Sequence, residues 1–398
     1  MCPLDSTAAA RAGDGSFAPG HLTEITFNRP FATGREFGYI QQAIDNLHLS
    51  GNGPFSKRCK SWLEERTGCA RALLTFSCTS ALEMAVLLAG IGPGDEVVMP
   101  SFTFVSSASA VALRGGVPVF VDIRPDTLNI DEGAIEAALT PRTRAIMPVH
   151  YAGTACEMDS ITALAADRDL LVIEDAAQGI MSSYRGRPLG AIGQLGCVSF
   201  HETKNVICGE GGALLVNESE WSERAGILHD KGTNREQFLR GQVEKYAWVD
   251  LGSSYLTSEI NSAFLWAQLE DADAITEKRL AIWNGYHERF AALEEDDKLR
   301  RPVVPPNCRH NAHMYYVLVS DRAARDRLID RLAEQRIQAV FHYVPLHSSP
   351  AGLRFGRAVG ALPITDSTSD RLVRLPLWVG MGDSHIDRVV DAVISTLA

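Results

Sequence analysis

The chain has 398 residues, 45% of them hydrophobic, and a formal net charge of -11 at pH 7. Its length exceeds the size at which a single hydrophobic core stops growing, so we expect two domains. The acidic balance and the lack of a basic run argue against nucleic acid as a partner, because phosphate binding needs clustered cations. The apolar runs are shorter than the roughly 18 residues of a membrane span, so no membrane partner is expected.

The N-terminal segment, residues 1–21, consists of small and polar residues with several glycines. It lacks the apolar stretch of a secretory signal, and its composition is typical of a disordered tail. We therefore predict that residues 1–21 are disordered and that the protein is cytoplasmic.

Between about residues 70 and 216, short β-rich runs alternate with helix-period segments, which is typical of an α/β domain with a largely parallel sheet. The predicted strands are ALLTF, EVVMP, VPVFVD, AIMPVH, LLVIED, GCVSF and GALLV. The predicted helices are TSALEMAVLLAG, VSSASAVALRG, DEGAIEAAL and MDSITALAADRD, with Asp131 as an N-cap or first-turn acid of the third.

A long segment with few helix breakers, LTSEINSAFLWAQLEDADAITEKRLAIWNGYHERFAAL, then predicts one or two helices that leave the first domain. The remainder predicts a strand at MYYVLV, a helix at AARDRLIDRLAEQR, a strand at QAVFHYV and a closing helix at SHIDRVVDAVISTL. The sequence thus predicts a large domain over residues 22–275 and a smaller α+β domain over residues 276–398.

Two charged residues follow predicted buried strands. Asp175 ends LLVIED, and Lys204 lies in SFHETKN after GCVSF. Taken alone, Asp175 could be a helix cap and Lys204 a surface ion-pair partner. Because the carboxyl ends of strands are where α/β sheets bind ligands, the pair instead suggests a common cleft. A partly desolvated lysine amine loses its proton readily and forms Schiff bases with carbonyls.

A third feature is the segment FSCTSALEMA, in which Ser77, Thr79 and Ser80 follow a strand and open a helix. Hydroxyls and free backbone N–H groups meet there, so the segment is suited to bind a phosphate. The alternative is a plain helix cap by Thr79. Pyridoxal 5′-phosphate (PLP) needs a lysine, an acid and a phosphate site, and the chain has a candidate for each.

In order and spacing, the motifs SCTSAL, GDEVVMPSFTFVSSASA, FVDI, IEDAAQ, SFHETKN and GEGGALL resemble the DegT/DnrJ/EryC1/StrS family of sugar-nucleotide aminotransferases. The resemblance extends from about residue 24 to the C-terminus. It implies the type I fold of PLP-dependent aminotransferases. CEMD, KGTNR, DLGSSYL and FHYVPLH look most like the subgroup of dTDP-4-keto-6-deoxyglucose transaminases.

The resemblance also implies roles for individual residues. Lys204 would be the Schiff-base lysine and proton carrier, with His201 as the competing base. Asp175 would pair with the pyridinium nitrogen and keep it protonated. The other implied cofactor contacts are Gln178 beside the ring hydroxyl, Phe104 stacked on the ring or packed in the core, and Thr79, Ser80 and Ser199 at the phosphate.

One position departs from the family pattern. Ser254 in GSSYLTS stands where many members have an asparagine that reaches the partner subunit's phosphate, and its shorter side chain puts that contact in doubt. Because the family forms its active sites between two subunits, the resemblance implies a homodimer.

Substrate contacts are less well marked. The nucleotide diphosphate needs cations, and Lys231, Arg235 and Arg240 are candidates, although a solvated loop would look the same. His342 and His347, in FHYVPLH, are further substrate-binding candidates. The histidine spacing matches no common ligand pattern, so no metal is predicted. No arginine in the sequence is a clear clamp for the carboxylate of an amino donor.

We therefore expect transfer of the amino group of L-glutamate to dTDP-4-keto-6-deoxy-D-glucose, giving a 4-amino-4,6-dideoxy sugar of galacto or gluco configuration. One alternative is a dehydratase with the same cofactor, but these have histidine in place of the lysine. A noncatalytic PLP-binding regulator would predict a DNA-binding extension, which is not visible. A Rossmann-type oxidoreductase is disfavoured because GIGPGDE lacks the full glycine motif.

Overall fold

A computed structural model describes residues 23–397, and the predicted tail at residues 1–21 lies outside the described residues. The strands, in chain order, are β1 (Arg71–Thr75), β2 (Glu96–Pro100), β3 (Val117–Val121), β4 (Thr143–Ile146), β5 (Leu171–Asp175), β6 (Ser183–Tyr184), β7 (Arg187–Pro188), β8 (Leu195–Ser199), β9 (Gly212–Val216), β10 (Cys308–Arg309), β11 (Tyr315–Leu318), β12 (Arg357–Ala358) and β13 (Leu372–Leu375).

In the described part of the chain, eight of these strands form one sheet in the order β1-β9-β8-β5-β4-β2-β3-β12. The strands from β8 through β5, β4, β2 and β3 to β12 pair in parallel. β9 is antiparallel to both β8 and β1. Since β5 and β8 are parallel neighbours, the residues that follow them lie at the same edge of the sheet.

The α-helices connect and cover the strands. They are α1 (Glu36–Asp45), α2 (Pro54–Thr67), α3 (Cys78–Leu88), α4 (Val105–Leu113), α5 (Glu132–Ala138), α6 (Met158–Asp167), α7 (Ser222–His229), α8 (Arg235–Leu239), α9 (Glu259–Glu270), α10 (Ala272–Arg289), α11 (Ala291–Glu295), α12 (Arg322–Glu334), α13 (Pro350–Phe355), α14 (Pro363–Arg371) and α15 (Asp383–Leu397). Short 3-10 turns lie at Tyr151–Gly153 and Ser219–Trp221.

The sequence predicted the central sheet well. Each of the seven strands predicted between residues 70 and 216 has a counterpart, although β4 ends at Ile146 rather than at residue 150. All five residues of β2, β8 and β9 are buried, and most of them are apolar. Such runs are typical of strands that are covered on both faces, which explains this success. Asp131 caps α5 as expected, accepting a hydrogen bond from the Gly133 N–H.

A separate cluster of buried side chains surrounds β11 and β13, which pair antiparallel, and is covered by α10, α12 and α15. Ile25, near the start of the described chain, also packs into this cluster. The predicted long helical segment is two helices, α9 and α10, which break at Asp271. A domain boundary near residue 275 would fall inside α10, and it stays a prediction.

The strand predicted at QAVFHYV is wrong. Within this segment Val340 makes an isolated bridge to Arg374, but residues 338–344 form no strand. The reason is that His342 and Tyr343 turn instead into an aromatic cluster with Phe102 and Tyr151, so their side chains do not alternate across a sheet.

A buried ion cluster joins the chain after this segment to the large sheet. Glu96 at the start of β2 is fully buried and accepts hydrogen bonds from Arg357 on β12, from Arg142 and from Thr140. The bonds from Arg357 and Arg142 lower the pKa of Glu96 to about 2. Because a buried carboxylate is stable only when it is paired, this cluster fixes the segment between β11 and β13 against the sheet.

None of the helices within residues 23–397 has the length and apolar character needed to cross a membrane.

Candidate active site

A cavity of about 400 Å³ lies where the carboxyl ends of β5 and β8 meet the first turn of α3. Its walls come from both the large sheet and the C-terminal part of the chain. Of the residues predicted from sequence, the following line it: Thr79, Phe104, Asp175, Gln178, Ser199, His201, Lys204 and His342.

Asp175 is the last residue of β5 and is almost fully buried. Its Oδ2 accepts a hydrogen bond of 2.7 Å from the Ser107 hydroxyl, and its Oδ1 accepts one of 3.1 Å from the Ala177 N–H. The Thr103 hydroxyl lies 3.0 Å from that of Ser107. This buried carboxylate is therefore held by a short chain of hydroxyl groups at the cavity wall.

Lys204 lies in the loop after β8, where its N–H donates to the His201 carbonyl at 2.8 Å. Its side chain faces the same cavity as Asp175. Burial lowers the pKa of the Lys204 amine below its ordinary value. The positive charge of Arg374 lowers this pKa further, whereas Cys78 and Asp175 raise it. A larger fraction of the amine is therefore neutral and able to accept a proton or attack a carbonyl.

The first turn of α3 forms another part of the wall. Its N-cap is Ser77, whose hydroxyl oxygen accepts from the Ser80 N–H at 3.1 Å, so the alternative of a cap by Thr79 is wrong. Thr79 instead lies at the cavity, with its hydroxyl 2.7 Å from that of Ser106. The buried Ser80 hydroxyl is 2.9 Å from that of Ser77 and is not among the cavity-lining groups.

Gly212 at the start of β9 allows this arrangement. A Cβ atom at Gly212 would lie 2.5 Å from the Cys78 backbone nitrogen and 2.6 Å from the Ser77 carbonyl carbon. Both distances are far below van der Waals contact, so the strand and the helix start can approach this closely because residue 212 has no side chain.

Gln178 and two aromatic residues, Phe104 and Tyr343, form a further part of the cavity wall. The Gln178 Oε1 accepts from the Ala152 N–H at 2.6 Å, and its Nε2 donates to the Tyr343 hydroxyl at 3.2 Å. The rings of Tyr343 and Phe104 are 6.4 Å apart. Phe104 immediately precedes α4 and exposes more than half of its surface, so its ring is free to cover a flat ligand rather than being packed in the core.

Three histidines line the cavity, of which His313 is buried, and the other two, His201 and His342, differ in their surroundings. His201 Nδ1 is 2.9 Å from the Thr203 hydroxyl, and its Nε2 is 3.6 Å from Glu210. His342 Nδ1 is 3.0 Å from the Tyr151 hydroxyl, and burial together with the Arg374 charge lowers the pKa of its imidazole well below the usual value. His342 is therefore neutral near pH 7.

Four predicted ligand residues and Ser254 lie elsewhere. Lys231 lies 2.6 Å from the Asp230 carboxylate, and Arg235 lies 3.8 Å from the same group. Arg240 lies 3.3 Å from the Glu236 carboxylate. His347 contacts Ser101 at 2.8 Å. Ser254 is exposed and bridges to Asp230. None of the five is a lining residue of this cavity in the described chain.

The sequence alone missed four residues that the fold brings to the site: Ser107, Tyr343, Arg279 and Arg374. Ser107 could have been found as one turn into the helix after SFTF. The arginines carried no local signal, because α10 and β13 are distant from the other site residues in sequence. Within residues 23–397 no group of three or more His, Cys, Asp or Glu side chains is arranged to hold a metal ion.

Comparison with known proteins identifies the type of site. The model of the DegT/DnrJ/EryC1/StrS aminotransferase family matches residues 32–394. The chain belongs to this family. The family membership expected from the sequence motifs is therefore confirmed.

Related proteins cover nearly the whole chain. GDP-perosamine synthase from Caulobacter vibrioides is 33% identical over 380 residues, which are 94% of this chain and 99% of the relative. The spore coat polysaccharide biosynthesis protein SpsC from Bacillus subtilis is 32% identical over 377 residues, 93% of this chain and 96% of the relative. The crystal structure of the aminotransferase TlmJ from Streptoalloteichus hindustanus has a TM-score of 0.86 at 28% identity, covering 94% of this chain and 99% of TlmJ.

The family member described here is a PLP-dependent sugar aminotransferase with the type I fold, so the predictions of fold class, enzyme class and cofactor are confirmed. Membership of this family implies a nucleotide-sugar substrate. The chemical groups that line the cavity fit PLP. The cavity offers a buried carboxylate, a lysine of lowered pKa, an aromatic face and the start of an 11-residue helix.

Proposed function

We propose that this enzyme transfers the amino group of L-glutamate to carbon 4 of dTDP-4-keto-6-deoxy-D-glucose. The products would be 2-oxoglutarate and a dTDP-4-amino-4,6-dideoxy sugar of galacto or gluco configuration. The observation that carries the proposal is that Lys204 and Asp175 face one cavity beside the first turn of α3. The dTDP-linked substrate rests on the resemblance of KGTNR, DLGSSYL and FHYVPLH to that transaminase subgroup.

Asp175 is the residue proposed to contact the cofactor's ring nitrogen. When bound, PLP supplies an aldehyde carbon and an electron-accepting ring. A carboxylate beside the ring nitrogen favours its protonated form, because opposite charges attract strongly in a buried site. The hydrogen bonds from Ser107 and Ala177 fix the direction of the Asp175 carboxyl group.

Lys204 is proposed as the covalent anchor and as the base that moves the proton of the donor's α-carbon. Its lowered pKa favours the neutral amine, which a base needs. His201 remains the second candidate, but its imidazole is engaged by the Thr203 hydroxyl. The dehydratase alternative needs a histidine at residue 204 and is therefore disfavoured.

The remaining cofactor contacts are proposed as follows. Thr79 and Ser199 would bind the phosphate with the N–H groups of the first turn of α3. Phe104 would cover one face of the ring, and Gln178 would approach the ring hydroxyl. Ser80 would serve the phosphate through its backbone or by orienting Ser77, since its hydroxyl is bound to that residue.

We also propose that the enzyme is a homodimer with shared active sites. The chain that leads to Ser254 supports this, because Leu239 and Trp248 within it are 71% and 78% exposed. Large apolar side chains that are exposed along one segment are typical of interaction surfaces. Ser254 would then reach the partner's phosphate, and Lys231, Arg235 and Arg240 would serve the nucleotide of the neighbouring site. Of the two histidine candidates for substrate binding, His342 lines the cavity, whereas His347 contacts Ser101 and does not line it.

The direct test is incubation of the PLP-loaded enzyme with dTDP-4-keto-6-deoxy-D-glucose and 15N-labelled L-glutamate, followed by NMR of the sugar. We expect 15N at carbon 4, and the proton couplings at that carbon will distinguish galacto from gluco. A GDP-linked 4-keto-6-deoxy sugar serves as the competing acceptor. Efficient amination of the GDP sugar, with no amination of the dTDP sugar, would refute the proposed substrate.

A further inference from the structure

The cavity contains an imidazole nitrogen without a hydrogen-bond partner. His313 lies just before β11, lines the cavity and exposes only 9% of its surface. Its Nε2 atom bonds to no group within residues 23–397, yet it is not one of the fully inaccessible unpaired atoms, so it is open to the cavity. Because an unpaired polar atom in a buried site is costly, such an atom normally pairs with a water molecule or a ligand.

Neighbouring amide groups determine which ring nitrogen of His313 carries the proton. The Asn205 Nδ2 donates to the Asn311 carbonyl at 2.7 Å, so the Asn205 Oδ1 faces the His313 Nδ1, at 3.1 Å. An amide oxygen only accepts, and therefore Nδ1 is the donor in this contact. A neutral imidazole has one N–H, which leaves Nε2 with a free lone pair as a hydrogen-bond acceptor.

The imidazole of His313 is held in place and uncharged. The His313 backbone N–H donates to the Asn311 Oδ1 at 2.9 Å, and the His313 carbonyl accepts from the Arg279 Nη2 at 2.7 Å. Burial lowers the pKa of the ring well below its usual value, and the positive charges of Lys204 and Arg279 lower it further. The cavity thus contains a fixed, neutral acceptor within the electrostatic reach of Lys204.

The surroundings of this acceptor favour an uncharged donor group. Met314, Leu375 and Leu377, all almost fully buried, line the same cavity. The positive charges that act on His313 disfavour an ammonium group at Nε2, because like charges repel strongly in a buried site. A hydroxyl group carries no charge and donates one hydrogen bond, so it fits this position.

We propose that the His313 Nε2 accepts a hydrogen bond from the hydroxyl group at carbon 3 of the keto sugar, an inference that rests on the proposed function. Carbon 3 adjoins carbon 4, the carbon that receives the amino group beside Lys204. L-Glutamate has no hydroxyl group, so His313 serves the acceptor half-reaction and not the donor half-reaction. The contact distinguishes sugars with a hydroxyl group at carbon 3 from 3-deoxy sugars, since a site built to bind a hydroxyl rejects an analogue that lacks it.

The first test compares two nonreacting sugars, which carry a hydroxyl group in place of the ketone at carbon 4. Calorimetry with the pyridoxamine-phosphate form of the wild-type enzyme should show that dTDP-6-deoxy-D-glucose binds roughly tenfold more tightly than dTDP-3,6-dideoxy-D-glucose, because the second sugar leaves Nε2 unpaired. Equal affinities of the wild-type enzyme for the two sugars would overturn the proposal. This comparison requires no variant, so its result does not depend on how a substitution affects folding.

The second test removes the acceptor from the protein. His313→Leu should bind the two sugars with affinities within twofold of each other, and His313→Gln, whose amide oxygen can accept a hydrogen bond, should restore part of the preference. The donor half-reaction with L-glutamate, followed by stopped-flow absorbance, should stay within about fivefold of wild type in both variants, which also shows that they fold. His385→Leu, at a residue of α15 whose ring accepts from the Gly382 N–H, is the control and should keep the wild-type preference.

Two results with the variants would overturn the proposal. A His313→Leu enzyme that keeps the tenfold preference would show that another group binds the hydroxyl at carbon 3. A donor half-reaction slowed as much as the acceptor half-reaction would assign His313 to the Lys204 amine instead of the sugar.

The proposed function fails by a different result. If wild type aminates a GDP-linked keto sugar and no dTDP-linked one, the proposed substrate is wrong. The same pair of 3-hydroxy and 3-deoxy sugars, linked to GDP, then tests the role of His313 with the same expected outcome.

Discussion

The Ser107 hydroxyl donates a 2.7 Å hydrogen bond to the Asp175 carboxylate, and both side chains are buried. Since Ser107 gives its proton to Asp175, the Thr103 hydroxyl is the donor in the 3.0 Å contact with Ser107. The acid at the end of β5 is thus oriented from α4 as well as from its own strand. This link joins the two segments that carry the proposed ring partner and the proposed stacking residue Phe104.

Ser107→Ala should therefore reduce activity although Ser107 lies behind the site. A hydrogen bond to a charged group contributes about 1.5 to 3 kcal/mol, so we expect kcat/KM to fall roughly tenfold to hundredfold. PLP affinity, measured by equilibrium dialysis, should fall as well. Ser395→Ala, at a residue that bonds within α15, is the control. A Ser107→Ala enzyme with activity within twofold of wild type would show that Asp175 needs no support from α4.

Gly212→Ala should damage the start of α3. The added methyl group would lie 2.5 Å from the Cys78 nitrogen, and backbone must move to accommodate it. Overpacking of this kind costs about 1 to 3 kcal/mol in the free energy of unfolding, and PLP affinity should fall with it. Denaturant unfolding measures the free energy of unfolding, and cofactor titration measures the PLP affinity.

The matched control is Gly38→Ala in α1, where a Cβ atom would meet nothing within 4 Å. Alanine is the better helix former, so this variant should be neutral or more stable by about 0.4 to 1 kcal/mol. Equal stability of the two variants would mean that the contact at Gly212 relaxes without cost.

Lys204→Ala and His201→Ala distinguish the two candidate bases. Loss of a general base lowers the rate roughly 10²- to 10⁴-fold, and we expect this in Lys204→Ala and less than tenfold in His201→Ala. Stopped-flow absorbance of the donor half-reaction with L-glutamate measures both. If Lys204→Ala transfers the amino group at near the wild-type rate and His201→Ala does not, the base is His201.

The lowered pKa of Lys204 predicts its reactivity in the cofactor-free protein. Only the neutral amine is acylated, so its modification by acetic anhydride should rise with pH through an inflection below the ordinary 10.5. Because the positive charge of Arg374 favours the neutral amine, Arg374→Gln should move the inflection upward. Mass spectrometry of the peptide follows both. An inflection at or above 10.5 in wild type would contradict the lowered pKa of Lys204.

The sequence predicted the sheet and the main site residues because both depend on local pattern. The LLVIED and GCVSF runs specify neighbouring buried strands, and Asp175 and Lys204 follow from where those strands end. Aromatic packing could not be predicted in this way. QAVFHYV has the composition of a strand, yet Tyr343 contacts Phe102 and Gln178 across more than 160 residues of sequence.

The sequence also could not predict which cationic side chains lie at the cavity. It presents three neighbouring cations as candidates for substrate binding, Lys231, Arg235 and Arg240. In the fold they pair with Asp230 and Glu236. Arg374, within RLVRLPLW, has apolar residues directly on both sides in the sequence. Its position at the cavity depends on how β13 packs against the rest of the fold, which is a tertiary feature.

The measurement that tests the central claim most directly is reduction of the PLP-loaded enzyme with borohydride, followed by digestion and mass spectrometry. The account predicts one reduced cofactor per chain, attached to Lys204 in the peptide containing SFHETKN. Attachment to another lysine, such as Lys231, would contradict the assignment of this cavity as the active site.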